Sequence, residues 1–178
     1  VSFEAHLTIP DSVTSIGSYA FAKTDIPSIT LSAGVTTISS YTFYYCTSLT
    51  KLVIPSSVTT INNNAFGYCT ALSSIYIPLS VTTISASSAA NSPFYQAKSG
   101  CAIYTRHTQK PSGWGYYWYY RTTSAGMSVY WNKTLVDYKA SYGASGVSVA
   151  STESAQTYDV SYLNHAVMPS IISKKTDY

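Results

Sequence analysis

The sequence predicts a solenoid of about four coils, built from short parallel β-strands joined by turns or single helical turns and closed by an aromatic β-rich segment. Three observations lead there. One short motif recurs four times at a step of 22 or 23 residues. A second set of apolar residues keeps the same step. The composition also supplies a core without supplying charge: 10% of the 178 residues are charged, while 18 are tyrosine. A soluble domain ordinarily has roughly a quarter of its residues charged, and a disordered chain is poorer in aromatics. This chain can bury a core under a surface that is mostly hydroxyl-bearing.

The motif Ile9-Pro10-Asp11-Ser12-Val13-Thr14-Ser15-Ile16 returns at Ile54–Ile61 and again at Ile77–Ile84, and without its proline at Leu31–Ile38. Its valines, Val13, Val35, Val58 and Val81, step by 22, 23 and 23. Phe21, Phe43 and Phe66 each follow the last isoleucine by five residues, and Cys46 and Cys69 follow their phenylalanines by three. In the fourth copy Phe94 comes late, after the insertion Ala86 to Pro93. A fixed period in the twenties is the mark of stacked coils, because one repeat is too small to bury its own apolar face. The four valines then form one interior ladder. Each large side chain so buried contributes about 1.5–3 kcal/mol before chain entropy is counted.

Within a repeat, Leu52-Val53-Ile54 alternates between inside and outside, which fits a short strand ended by Pro55. Val58 and Ile61 are three apart, a spacing that predicts a bend or bulge there. Gly17, Ser39, Asn62 and Ser85 follow the isoleucine, where a left-handed backbone residue is expected, since Gly and Asn tolerate one. Ala65 to Cys69 is a single helical turn at most.

These residues carry a resemblance. The pattern Leu-x-x-Leu-x-Ile-Pro-x-Ser-Val-Thr-x-Ile-x-x-x-Ala-Phe-x-x-Cys, seen best over Leu49–Cys69, resembles the BspA-like leucine-rich repeat, also called the Treponema-type repeat. The likeness runs from about Leu7 to Arg106. It departs at the missing proline of the second copy, at Thr24 in the first cysteine position and in the stretched fourth copy. The resemblance implies a solenoid of leucine-rich-type repeats from a surface protein of a host-associated microbe, with adhesion to host proteins among its roles. The expected location is therefore the cell surface or the secreted fraction.

The expected division is 1–106 for the solenoid, 107–138 for an aromatic C-terminal cap, 139–157 for a Ser/Ala/Gly linker and 158–178 for a tail. In the cap, Ser112 to Tyr120 is the densest aromatic run, and Met127 to Trp131 alternates as a strand does. Trp118 and Trp131 seal the last coil in one reading. In the other, Trp114, Tyr116 and Trp118 offer their faces to sugar rings. From Tyr158 onward the chain resembles the start of an internalin-type B repeat, a small β-grasp module, with His165-Ala166 in place of the usual Gly-Gly; the alternative is a disordered terminus.

Charge and ligand types narrow the function. The net charge is +3 with scattered cations, so the basic stripe of a nucleic-acid binder is missing. His6, His107 and His165 lie in different regions, the repeat block holds only Glu4, Asp11 and Asp25 as acids, and Cys46, Cys69 and Cys101 show no C-x-x-C spacing. Enzyme and metal sites need convergent groups of these kinds. No catalytic residue, metal or cofactor is expected. Cys46 and Cys69 read as buried small hydrophobes, and Asn132-Lys133-Thr134 as a glycosylation acceptor sequence. No apolar run is long enough to span a membrane.

The expected function is a non-catalytic binding or adhesion module with an extracellular protein partner. Its alternatives are a carbohydrate-binding module using the Trp/Tyr segment, or a passive display stalk. Strand alternation places two outward ladders on one face, His6/Ser28/Lys51/Ser74 and Thr8/Thr30/Val53/Tyr76, extended by Ala102 and Tyr104. The candidate ligand residues are Lys51, Val53, Ser74, Tyr76 and Tyr104.

Overall fold

Coil on coil, the chain climbs by parallel pairing, as a computed structural model shows. It describes residues 5–119 and 127–142, with the backbone of two short strands beyond. On one side run β1 (His6–Thr8), β2 (Ser28–Thr30), β4 (Lys51–Val53), β6 (Ser74–Ile77), β8 (Ala102–Thr105) and β9 (Ser128–Tyr130). β1 pairs with β2, and β4, β6, β8 and β9 form a four-stranded sheet, all parallel. The register is the one the repeat dictates: His6 faces Ser28, Lys51 faces Ser74, and Tyr76 faces Tyr104.

The expected bend after the proline is a tight turn followed by a second row of strands. The Val58 amide donates to the Pro55 carbonyl, closing the turn. β3 (Thr37–Ile38), β5 (Thr60–Ile61) and β7 (Thr83–Ile84) then pair in parallel. Val35, Val58 and Val81 point inward from the turn between the two rows and are fully buried.

A third row carries the phenylalanines. Phe21, Phe43, Phe66 and Phe94 stack nearly parallel at 5.4–5.5 Å between centroids. Left-handed backbone falls two residues before these rings, at Tyr19, Tyr41 and Asn64, and two after, at Lys23, Tyr45, Tyr68 and Gln96. Gly17, Ser39, Asn62 and Ser85, expected there, are not left-handed. The reason lies in the hydrogen bonds: the alternate amides of Tyr41, Phe43 and Tyr45 all donate to the next coil, at Asn63, Ala65 and Gly67. Reversing the backbone on either side of the ring is what turns them the same way. A left-handed non-glycine residue costs about 1–2 kcal/mol, offset here by those bonds and by ring stacking of Tyr19 on Tyr41 and Tyr45 on Tyr68. The insertion in the fourth copy loops out through a single 3-10 turn, Ala89–Asn91, and returns Phe94 to the stack.

The cysteines belong to the same row. The Cys46 thiol donates to the Phe21 carbonyl at 2.9 Å and the Cys69 thiol to the Phe43 carbonyl at 3.0 Å. Each satisfies a carbonyl of the coil before it. In the first copy Thr24 donates its hydroxyl to Phe21 instead. All three cysteines are buried and outside any disulfide, and burial pushes the thiols of Cys46 and Cys69 up, away from the reactive thiolate.

The aromatic segment continues the solenoid and does not merely lie across its end. Trp114 pairs beside Ile84 in the second row, Trp118 packs against it at 4.5 Å, and β9 completes a fifth turn, one more than the motif count suggests. Gly113 and Gly115 make this possible. A Cβ on Gly113 would sit 2.3 Å from the Thr82 carbonyl oxygen, and one on Gly115 2.8 Å from Ala86 backbone atoms. Only a bare backbone approaches the fourth coil so closely.

After β9 comes a helix that was not expected, α1 (Leu135–Ser141). It runs across the boundary placed at 138/139, so the first residues assigned to the linker are its last turn. The remainder of 139–157 lies outside the described residues. Of 158–178 only backbone pairing is described: β10 (Thr157–Tyr158) runs antiparallel to β11 (Lys174–Lys175).

Three variants separate stacking from simple coil formation. Gly115→Ala forces backbone apart and should cost about 1–3 kcal/mol in a denaturant titration, whereas Gly17→Ala, with nothing within 4 Å of the new methyl, should be close to neutral. Phe66→Ala breaks the ring stack and should cost about 3–5 kcal/mol.

Candidate functional site

The strand face is divided. Over its C-terminal half lies α1, begun by Thr134 and Asp137. The Thr134 hydroxyl accepts from the Asp137 amide at 3.0 Å, and the Asp137 carboxylate accepts from the Thr134 amide at 2.6 Å. This capping box satisfies two otherwise orphaned donors. It lets Tyr138 drop onto the sheet, where its phenol donates to the Ser74 carbonyl and accepts from the Ser74 hydroxyl. Tyr138 also meets Tyr76 at 5.9 Å and Tyr104 at 5.4 Å, and Tyr104 stacks on Tyr130 at 4.7 Å. Ser74, Tyr76 and Tyr104 are consequently buried. Their ladder positions are those the alternation predicts, but their side chains form a second small core and are not free for a ligand. The signal for this helix was legible as Thr-x-x-Asp ahead of an apolar pair, Leu135 and Tyr138.

The N-terminal half of the face is open. Here a groove of about 440 Å³ is lined by His6, Ser28, Thr30, Thr50, Lys51 and, from the end of the helix, Tyr142. His6 is pinned across two strands, with Nδ1 2.6 Å from the Ser28 hydroxyl and Nε2 2.9 Å from the Thr30 hydroxyl. Lys51 is exposed, its ammonium 5.1 Å from the centre of the Tyr142 ring. A cation held against an aromatic face keeps its position while remaining wet. Val53 is half-buried, packed against the Tyr76–Tyr104–Tyr138 cluster. Of the five candidate residues, then, Lys51 lines the open groove, Val53 sits at its floor and edge, and three lie under α1.

The tryptophan segment does not offer a sugar platform. Trp114 and Trp118 are each 1% exposed, and the Trp114 indole donates to the Val81 carbonyl at 3.0 Å. Their faces are spent on each other and on Trp131. Of the three candidate stacking residues only Tyr116 is exposed, at 81%. The acceptor sequence at Asn132 is equally committed. Its Thr134 is buried within the capping box, and Asn132 sits in a left-handed turn whose amide donates to the His107 carbonyl.

No group of three or more His, Cys, Asp or Glu side chains among the described residues is placed to hold a metal. No helix among them is long and apolar enough to cross a membrane. The fold shifts the titration of His107. Its Nε2 lies 3.0 Å from the Val81 carbonyl, which only accepts, so that nitrogen bears the proton. Burial lowers its pKa from the ordinary value of 6.5, against the opposing pull of its backbone hydrogen bonds. The unfolded chain therefore takes a proton first as pH falls, and stability declines from about 6.5 downward until the folded imidazole is itself protonated. Melting temperatures taken from about pH 7 to about pH 5 should fall, and His107→Gln should flatten that fall. Thr134→Ala should lower stability by about 1 kcal/mol through loss of the cap and speed hydrogen exchange in α1.

Comparison with known proteins adds one match. The family model described as the BspA type leucine rich repeat region fits residues 3–104 in six copies. No curated protein and no solved structure matches the chain. The matched span is more than half of the sequence and coincides with the described coils up to β8, so the chain belongs to the BspA-type leucine-rich repeat family.

Proposed function

We propose that this chain is a non-catalytic binding module of a cell-surface or secreted protein, and that it holds a protein ligand in the open half of its strand face. The observation that carries this reading is the groove between the first strands and the end of α1. A solenoid presents regular, rigid surfaces, and here one stretch of that surface is concave, framed by fixed hydroxyls and edged by one cation. Ser28 and Thr30 alternate along β2 and Thr50 stands just before β4, a spread of hydroxyls that suits the polar groups of an extended segment. Tyr142, with the Lys51 ammonium against its ring, forms an anchor at one side, and tyrosine is among the residue types that dominate interface energetics.

Family membership supports the reading through the fold, which displays surface, and among the described residues no group of three or more His, Cys, Asp or Glu is placed to hold a metal. Burial of Trp114 and Trp118 argues against the carbohydrate alternative at the tryptophan segment.

Surface plasmon resonance of the full chain against an array of extracellular-matrix proteins tests the proposal. Capture should weaken by roughly tenfold in Lys51→Ala, about 1.4 kcal/mol, with the melting curve unchanged because Lys51 is exposed. Tyr76→Ala should instead lower stability, since that ring is buried. Undiminished capture by Lys51→Ala and by Thr30→Arg would remove the groove from consideration, and silence toward every protein would favour a passive stalk.

A further inference from the structure

We infer a second ligand site, beyond the C-terminal ends of β6, β8 and β9, for an acidic peptide segment of a partner protein. It is an open cleft of about 700 Å³, lined by Leu79 after β6, Arg106, His107, Lys110 and Pro111 after β8, and Asn132 after β9. It shares no residue with the strand-face groove, so it does not depend on the reading of that groove.

Charge selects the ligand. Between Asp25 and Asp137 the sequence contains neither Asp nor Glu. Asp137 is buried in the capping box, and no lining residue of the cleft is acidic. Arg106 is half-buried and has no hydrogen-bond or ion-pair partner among the described residues. Lys110 spends its ammonium on the Pro111 and Trp114 carbonyls. An ammonium has three protons, so one remains for a ligand, and its charge is not neutralised by these neutral acceptors. A carboxylate entering the cleft thus meets two cations that have no acidic partner among the described residues, one of them a guanidinium with the planar fork that matches a carboxylate. A cationic ligand meets no counter-charge among the lining residues.

The apolar wall selects a peptide over a sulfated sugar. Leu79 is 54% exposed, the most exposed large aliphatic side chain among the described residues. With Pro111 it offers an aliphatic surface that a leucine or valine beside the acid would cover. Sugar rings stack on aromatic faces, and the tryptophans nearby are buried.

The loop is already shaped for this work. His107 is tied through its ring to the Val81 carbonyl and through its own carbonyl to the Asn132 amide, and its ring stands edge-on to Trp114 at 5.1 Å. Little ordering remains to be done on binding, which is how a small site reaches useful affinity.

The test is fluorescence polarisation on the full chain with a labelled peptide of alternating glutamate and leucine. A lysine–leucine peptide and a sulfated oligosaccharide are run beside it. The acidic peptide should bind, more weakly as salt rises, and the basic peptide should not. Arg106→Ala should weaken it by roughly tenfold, Leu79→Ser several-fold, and Lys51→Ala not at all. An unchanged melting curve for Arg106→Ala separates loss of contact from loss of fold. Four results would overturn the inference: no binding of the acidic peptide, indifference to Arg106→Ala, loss on Lys51→Ala instead, or a sulfated oligosaccharide bound independently of Leu79. Loss on Lys51→Ala with Arg106→Ala silent would assign acidic peptides to the strand-face groove and leave that proposal standing.

Discussion

Everything in this chain rests on one constraint: each coil must lay its backbone against the next at the same residue positions. A repeat of this length cannot close a core by itself, so the hydrogen bonds that matter are those between coils. They occur in three rows. The strand row joins Leu52 to Ile75 and Ile103, the second row joins Ile38 to Ile61 and Ile84, and the third joins the amides around Phe21, Phe43 and Phe66 to carbonyls one coil on. With the coils in register, identical side chains meet, and the valines, isoleucines, phenylalanines and cysteines become columns. The low charge follows from the same constraint. A charged ladder would set like charges directly opposite one another, at a cost a hydroxyl ladder avoids.

Periodicity made the repeat legible because burial acts on residue type. Val58, Ile61 and Phe66 had to be apolar in every copy, so their spacing announces the coil, and the outward order of His6, Ser28 and Lys51 follows from alternation alone. What the period does not encode was read less well. Left-handed residues were expected at Gly17 and Asn62, where composition permits them. The chain instead places them at Tyr41, Tyr45 and Tyr68, where inter-coil bonding demands them and tyrosine propensity gives no hint. The second strand row was read as a bend because two-residue strands are too short to show alternation.

The candidate site shows the same division. Its strand residues were placed correctly, but the state of three of them depends on α1, a segment outside the repeat. Seven residues of helix carry too little hydrophobic periodicity to stand out, and the capping box at Thr134 was the usable sign. Once Tyr138 is seated, Ser74, Tyr76 and Tyr104 pass from surface to core, and the part of the face left open lies around His6, Lys51 and Tyr142. The tryptophans illustrate the converse. Dense aromatics mark either a platform or a seal, and the glycines flanking Trp114 decide for the seal, because backbone contact with the fourth coil draws both indoles inside.

A strand face closed at one end by α1 and open at the other is best examined by hydroxyl-radical footprinting of the intact protein, read residue by residue with mass spectrometry. The structure predicts that Tyr76, Tyr104 and Tyr138 react slowly, at rates like that of buried Phe66, while Tyr19 and Tyr116 react fast. Modification of Tyr76 and Tyr104 as rapid as that of Tyr116 would mean that the helix does not occupy the sheet, and would contradict the division of the face on which the ligand assignments stand.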